Sequence, residues 1–296
     1  FLYWLFQLWR GRGKKKNGDG EIKFDKQRKY GLSLVVPVYR GDRHIDGNIE
    51  RLIGKLEEWG RKFEVIVVVD GIVDRSYEIL RELQKKSRKL KVFGYARNRG
   101  KGYAVRYGLG LAKYEYVGYL DSGEDIDYAS LEYLLKRVDA YPRKDAFFAD
   151  KHHVLSWIDN VSLVRLTGSK LFHWFSSVFL RTEFYDTQVG LKLFRRGVWN
   201  EICERLVVGI EGFAFDVEIA KELLDGEYKL IKCPVVIRGE GRRTTVTLLR
   251  ALEMFRDVLI LGRHYLYRDL IRAREELVIR VRRGLEPGWL SAFYGE

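Results

Sequence analysis

Asn98-Arg-Gly-Lys-Gly-Tyr-Ala-Val-Arg-Tyr-Gly108, followed after an apolar run by Tyr119-Leu-Asp-Ser-Gly-Glu-Asp125, is the stretch from which the fold is read. Gly100 and Gly102 permit a close approach of backbone to a bulky anionic group, and the helical pattern beginning at Tyr103 points the positive end of its dipole at the same place. Lys101 and Arg106 add positive charge there. The run Tyr116 to Leu120 reads as a buried strand with Asp121 at its C-terminal end, where open α/β sheets carry their ligand-binding carboxylates. A phosphate cradle is thereby paired with an acid suited to a metal ion.

Working outward, Leu32 to Tyr39 is β-rich and carries Pro37 near its end, as a first buried strand running into a binding loop would. Apolar Ile49, Leu52, Ile53 and Leu56 then mark a helix, and Phe63 to Val69 a second buried strand that delivers Asp70. Strand, helix, strand is a parallel unit with a right-handed crossover. A carboxylate after the second strand is placed to accept hydrogen bonds from a base or ribose, the task given to Asp70, whereas Asp74 reads as a helix cap. Tyr77 to Lys86 is a helix and Leu90 to Tyr95 a third strand. Four strands alternating with helices make a doubly wound sheet. Beyond it, Ala129 to Ala140 is a helix, Ala146 to Ala149 a short strand delivering Lys151, His152 and His153, and Tyr228 to Arg238 a last strand.

The 296 residues are expected to form one catalytic domain over 30–243, preceded by an apolar and basic segment with a linker (1–29) and followed by amphipathic basic helices (244–296). A net charge of +13 favours an acidic partner: nucleic acid, anionic membrane or a phosphorylated substrate. The basic residues concentrate at the two ends and no recognisable nucleic-acid module is present, which disfavours nucleic acid. Cys203 and Cys233 lack metal-ligand spacing, so a reduced, cytoplasm-facing protein is the simplest reading. No apolar run approaches the ~20 residues of a transmembrane helix.

Two stretches suit either a membrane interface or a helix packed on the domain, and a third is read by default as core. Phe1 to Trp9 is almost wholly apolar and aromatic, and Arg10, Arg12 and Lys14 to Lys16 follow at once. Ser169 to Leu180 carries a helical aromatic stripe whose default reading is core packing. Leu248, Leu252, Phe255 and Leu259 share a helical face, with Arg250, Arg256 and Arg263 elsewhere on the helix.

Asn98 to Gly108 resembles the N-R-G-K-G-x-A-V-R-x-G segment of the family 2 glycosyltransferases that load sugars onto polyprenyl phosphate, in particular the dolichyl-phosphate β-glucosyltransferase type. Asp121-Ser122-Gly123 falls where that family has Asp-x-Asp. Asp186-Thr-Gln-Val-Gly-Leu-Lys-Leu-Phe194 is similar to D-T-Q-C-G-F-K-L-F, a match to the glucosyl rather than the mannosyl branch, and Glu211-Gly-Phe-Ala-Phe-Asp-Val-Glu218 to W-A-F-D-V-E. The resemblance implies a GT-A (Rossmann-like), mostly parallel sheet flanked by helices. It also implies a nucleotide-sugar donor, with a UDP-sugar favoured, a dolichyl or other polyprenyl phosphate acceptor, and Mg²⁺ or Mn²⁺. Under it, Asp121 is a metal ligand, with Asp125 standing in for the second family acid, which is Gly123 here. Pro37, Tyr39 and Ser122 belong to the donor site. Lys151 sits where relatives carry an Arg at the sugar diphosphate, and Arg242 lies in a loop that closes over it. Gln188 is assigned to a sugar hydroxyl, Lys192 to a phosphate, and Asp216 to orienting the reacting groups on the acceptor side. Val69, Ile72 and Gly123 depart from the nucleotide-side motifs, so a GDP-mannose-dependent transferase and a non-catalytic nucleotide-sugar or lipid-phosphate binder stand as alternatives.

Overall fold

The computed structural model describes residues 30–41, 43–123, 126–159, 163–180, 189–207, 209–212, 214–238 and 248–282. The apolar and basic segment 1–29 lies outside them, as do Asp42, Asp125, Gln188 and Arg242. Seven strands form the main sheet: β1 (Gly31–Val38), β2 (Lys62–Asp70), β3 (Leu90–Tyr95), β4 (Tyr116–Leu120), β5 (Ala146–Asp150), β7 (Leu191–Arg195) and β8 (Leu230–Pro234), in the order β3-β2-β1-β4-β7-β5-β8. Within it only β7 runs against its neighbours β4 and β5. β6 (Trp157–Asp159) and β9 (Val236–Arg238) pair in a small second sheet.

β1 is buried along its whole length and β2 from its second residue onward. That is why they read as continuous apolar runs rather than alternating ones: helices cover both faces of a parallel sheet. One face carries α1 (Ile45–Trp59), α2 (Ser76–Lys86) and α4 (Tyr128–Ala140), packed through Ile49, Leu52, Leu80, Leu131 and Leu134. The other carries α3 (Lys101–Gly110), α6 (Arg196–Cys203) and α7 (Phe215–Asp225), packed through Val105, Trp199, Phe215 and Ile219. Pro37 stands in register with Val68 of β2 but beyond the ladder with β4, which ends at Val35.

The stretch Tyr228 to Arg238 is two strands, not one. Pro234 has no N–H to continue the ladder, and Val235 gives its own to Ser156 Oγ (3.0 Å), so the chain leaves the main sheet and pairs with β6.

Helix α5 (Leu163–Leu180) and the 35-residue α8 (Leu248–Arg282) pack on each other and on α7. Phe172, Leu180, Val217, Met254, Val258, Leu261 and Tyr265 form that junction. The apolar face of α8 is therefore divided differently from the sequence expectation. Met254, Val258 and Leu261 are inside, Phe255 is half-buried, and Leu252 and Leu259 point outward. Arg256 and Arg263 follow those two leucines by four residues and share their exposed side, instead of lying elsewhere on the helix. No described helix is long and apolar enough to cross a membrane.

Candidate active site

The C-terminal ends of β1, β2, β4 and β5, together with the start of antiparallel β7, lie at one edge of the sheet. This brings Tyr39, Asp70, Asp121, Ser122, Lys151 and Gly190 to the same side, beside the reversal of strand order that flanks β1.

Asp70 is buried and its carboxylate is already occupied. Oδ1 accepts from Tyr95 Oη (2.9 Å) and the Arg99 amide (2.7 Å), and Oδ2 from Asn98 Nδ2 (2.8 Å) and the Gly100 amide (2.9 Å). Four donors saturate a carboxylate, so Asp70 shapes the loop entering α3 instead of offering a lone pair to a base. The glycines of that loop have a different neighbour from the one expected. Gly100 has φ +100°, and a Cβ on it would fall 2.5 Å from the Glu211 carbonyl oxygen; one on Gly102 would meet the same oxygen and Phe215. The Gly102 amide donates to that carbonyl at 2.7 Å. The close approach is thus made by the segment before α7, and the first amides of α3 are spent on it. Arg106 likewise serves this segment. Its guanidinium donates to the carbonyls of Val207 and Ile210 (3.2 Å each) and pairs with Glu218 at 3.0 Å.

Of the loop's cations, Lys101 is the one that enters the site. Its Nζ lies 2.8 Å from Asp121 Oδ1 and 3.0 Å from Asp216 Oδ2. Asp216 also accepts from Lys192 Nζ (2.8 Å) and from the Tyr119 hydroxyl. Lys192 spends a further hydrogen on the Val189 carbonyl at 2.7 Å. Two acids, two ammonium groups and a phenol form one continuous group, charge-balanced and graded in depth. Asp121 is 38% exposed at its side chain, Lys101 12%, Asp216 2% and Lys192 0%.

Strand geometry explains the deep end. Lys192 sits in register between Tyr119 of β4 and Phe148 of β5, and the alternation of β7 turns Lys192 and Phe194 toward α7 while Leu191 and Leu193 face the other core. At 0% exposure Lys192 anchors Asp216 and does not reach a phosphate, which corrects the role drawn from its motif. Gly190 closes the outer end: a Cβ there would lie 1.9 Å from Asp121 Cγ, so only glycine lets the acid rest on the start of β7. The Asp121 amide donates to the Gly190 carbonyl at 2.8 Å.

Burial alone would raise the Asp216 carboxyl, but the charges of Lys101 and Lys192 and the hydrogen bonds from Lys192 and Tyr119 outweigh it and hold the group below its ordinary value. Burial works against the Lys101 ammonium, yet Asp121 and Asp216 raise it above its ordinary value. Complete burial pushes Lys192 down, against the pull of Asp216. Burial, reinforced by Asp216, pushes the Tyr119 phenol well up. A carboxyl held below its ordinary value is a weak base, so the arrangement suits Asp216 as an anchor for the two ammonium groups.

Among the described residues no group of three or more His, Cys, Asp or Glu side chains gathers as a metal cage. Asp121 Oδ1 is enclosed and receives no well-directed hydrogen bond, although Lys101 lies beside it. One hard carboxylate oxygen of this kind fits Mg²⁺ or Mn²⁺, ions that are commonly held by one or two carboxylates together with substrate phosphates. Ser122 is half-buried and Gly123 exposed just beyond β4, Lys151 is half-buried after β5, and Tyr39 is half-buried beside Arg40. Reading the sequence missed Tyr119 and the Glu211 carbonyl. A phenol two residues before the strand-end acid was a legible signal for the first, but a backbone oxygen leaves none.

A family model described as "Glycosyl transferase family 2" matches residues 33–199. The dolichyl-phosphate β-glucosyltransferase of Drosophila melanogaster is 30% identical over 79% of this chain and 75% of its own length, and that of Saccharomyces cerevisiae 26% identical over 80% and 77%. Glucosyl-3-phosphoglycerate synthase from Mycobacterium tuberculosis, solved with Mn²⁺, UDP and phosphoglyceric acid, superposes with a TM-score of 0.60 at 14% identity, covering 93% of this chain and 86% of that one. This last likeness concerns the fold, which is of the GT-A type. With its motifs, its sheet and its acid-and-lysine site in the order described, the chain belongs to glycosyl transferase family 2 and is a glycosyltransferase.

Proposed function

We propose that the enzyme transfers glucose from UDP-glucose to dolichyl or a similar polyprenyl phosphate, with inversion, at the cytoplasmic face of a membrane. The observation that carries this reading is the contact between Gly190 and Asp121 together with the pairing of Lys192 and Asp216. Both Gly190 and Lys192 belong to the segment that resembles the glucosyl branch, and both act directly on the site's acids. The relatives from fly and yeast carry the matching name.

A sugar nucleotide reacts by losing its nucleoside diphosphate, so positive charge must stand where the leaving group forms. Lys101, oriented by Asp216, supplies an ammonium group at the mouth. Asp121, with Asp125 outside the described residues, would hold Mg²⁺ or Mn²⁺, and such an ion supplies further neutralisation of the diphosphate. A polyprenyl phosphate is already anionic at neutral pH and attacks without giving up a proton. Asp216, paired with two ammonium groups and a phenol, suits that chemistry, which calls for an anchor and no general base.

Surface composition supports the membrane setting. On α8, Leu252, Leu259, Leu266 and Leu270 are exposed along one line, and Arg256, Arg263 and Arg274 each follow one of them by four residues. On α5, which packs on α8 through other residues, Leu171, Trp174 and Val178 are exposed as well. Apolar side chains interspersed with arginine suit anionic lipid. Replacing Trp174 and Leu270 together by Glu is expected to weaken sedimentation with phosphatidylserine vesicles roughly tenfold or more, with an unchanged melting temperature. Equal sedimentation would remove the membrane from the proposal.

The function itself is tested by incubating the enzyme with a panel of UDP- and GDP-sugars, a short polyprenyl phosphate and Mg²⁺ or Mn²⁺, then separating lipid-linked product. UDP-glucose is expected to give the most product. GDP-mannose as the better donor would reassign the sugar, and no lipid-linked product from any donor would overturn the reading.

A further inference from the structure

Lys101 occupies the oxygen that a divalent ion would need. Its Nζ contacts Asp121 Oδ1 at 2.8 Å and Oδ2 at 3.1 Å, and among the described residues no other cation pairs with this carboxylate. An ammonium group and a metal ion cannot share one oxygen at contact distance without strong mutual repulsion. The two acids that hold Lys101 are unequal. Asp216 keeps Lys192 and Tyr119 if Lys101 withdraws, whereas Asp121 then stands open toward the mouth of the site. The backbone around Lys101 stays fixed during such a move, because the Gly100 amide is held by Asp70 and the Gly102 amide by the Glu211 carbonyl. Only the flexible four-carbon stem has to turn.

We propose that Lys101 is a placeholder cation: it masks Asp121 until a nucleoside diphosphate draws its ammonium group away, so that divalent-ion binding depends on the donor being present. This rests on reading the site as one for a nucleotide sugar. It assigns a binding order, donor before or together with metal, and it protects a half-exposed carboxylate from adventitious cations between turnovers.

Mn²⁺ binding, followed by electron paramagnetic resonance of the free ion, tests it without reference to turnover. Wild type, Lys101→Met and Lys101→Gln are titrated with Mn²⁺ alone and with UDP present. Wild type is expected to bind Mn²⁺ at least tenfold more tightly with UDP than without it. Both variants are expected to bind Mn²⁺ alone at least tenfold more tightly than wild type, and to lose most of the dependence on UDP. Adding Asp121→Asn to either variant should abolish the gain. Arg99→Gln, which removes the same charge from a residue paired with Glu211 and not with Asp121, should change Mn²⁺ binding less than twofold. Unchanged Mn²⁺ affinity in folded Lys101 variants, alongside UDP-dependent binding in wild type, overturns the placeholder and leaves the donor reading intact. Tight Mn²⁺ binding by wild type alone overturns it as well. Failure of every protein to bind UDP, with the variants still gaining Mn²⁺, overturns the donor dependence and the nucleotide-sugar reading with it.

Discussion

Asp216 and Glu218 are two residues apart on α7, and both are buried at 1% and 0% exposure, yet their carboxyl groups are shifted in opposite directions. Asp216 is held below its ordinary value by two ammonium groups and a phenol. Glu218 is pushed up to about 7 by burial, with Glu222 adding to the rise and the Val207 amide and Arg106 only partly offsetting it. Burial is common to both, so the count of nearby charges decides which acid is ionised. The difference also separates two tasks. Asp216 orients the lysine that faces substrate, while Glu218 ties α3 to the segment before α7 through Arg106 and the Val207 amide.

Removing one of the two ammonium groups should break the contrast most severely. Lys192→Met leaves a buried carboxylate short of a partner, and unfolding in urea is expected to show a loss of about 3–5 kcal/mol. The Asp216 carboxyl should then rise toward the behaviour of Glu218.

Glu218→Gln sharpens the comparison from the other side. The unfolded chain releases this proton near 4.5 while the folded protein keeps it to about 7, so the group's contribution to stability is lost as pH rises through that window. The loss amounts to at most about 3 kcal/mol. Urea melts at pH 5 and pH 8 should show the glutamine variant gaining on wild type across the interval. A parallel pH dependence for both proteins would place the cause elsewhere.

Gly190→Ala leaves both acids of α7 alone and disturbs only Asp121, whose Cγ would lie 1.9 Å from the new methyl. A stability cost of about 1–3 kcal/mol is expected. Displacing the acid by a fraction of an ångström should cost roughly a hundredfold in transfer. The smallest effect belongs to the exposed pair Arg99 and Glu211, where Arg99→Gln should alter stability by no more than about 0.5 kcal/mol.

Much of the frame was legible because it follows local rules. The buried runs of β1, β2 and β4, the β-rich run of β3 and the stripe of α1 fix a doubly wound half, and the chain order places Asp121 at a strand end. What stayed hidden depends on distant partners. Nothing local in Leu191–Arg195 announces a strand inserted against the direction of its neighbours between β4 and β5, yet that insertion seats Lys192 under Asp216. The glycines of the α3 loop were read correctly as a close approach, but composition cannot tell a phosphate from the Glu211 carbonyl. Arg106 and Asp70 looked like ligand groups because they are charged and lie in motifs; the structure spends them on the loop itself. On α8 the periodicity was real, but long-range packing against α5 and α7 chose which apolar residues went inside.

The most direct test of the account is the transfer rate of Asp216→Asn at saturating UDP-glucose and polyprenyl phosphate, measured on protein whose melting curve and UDP affinity have been checked. With Asp216 as the ionised anchor of Lys101 and Lys192, a folded variant that still binds UDP should lose transfer by roughly a hundredfold or more. A folded variant that keeps more than about a tenth of wild-type transfer would contradict the account.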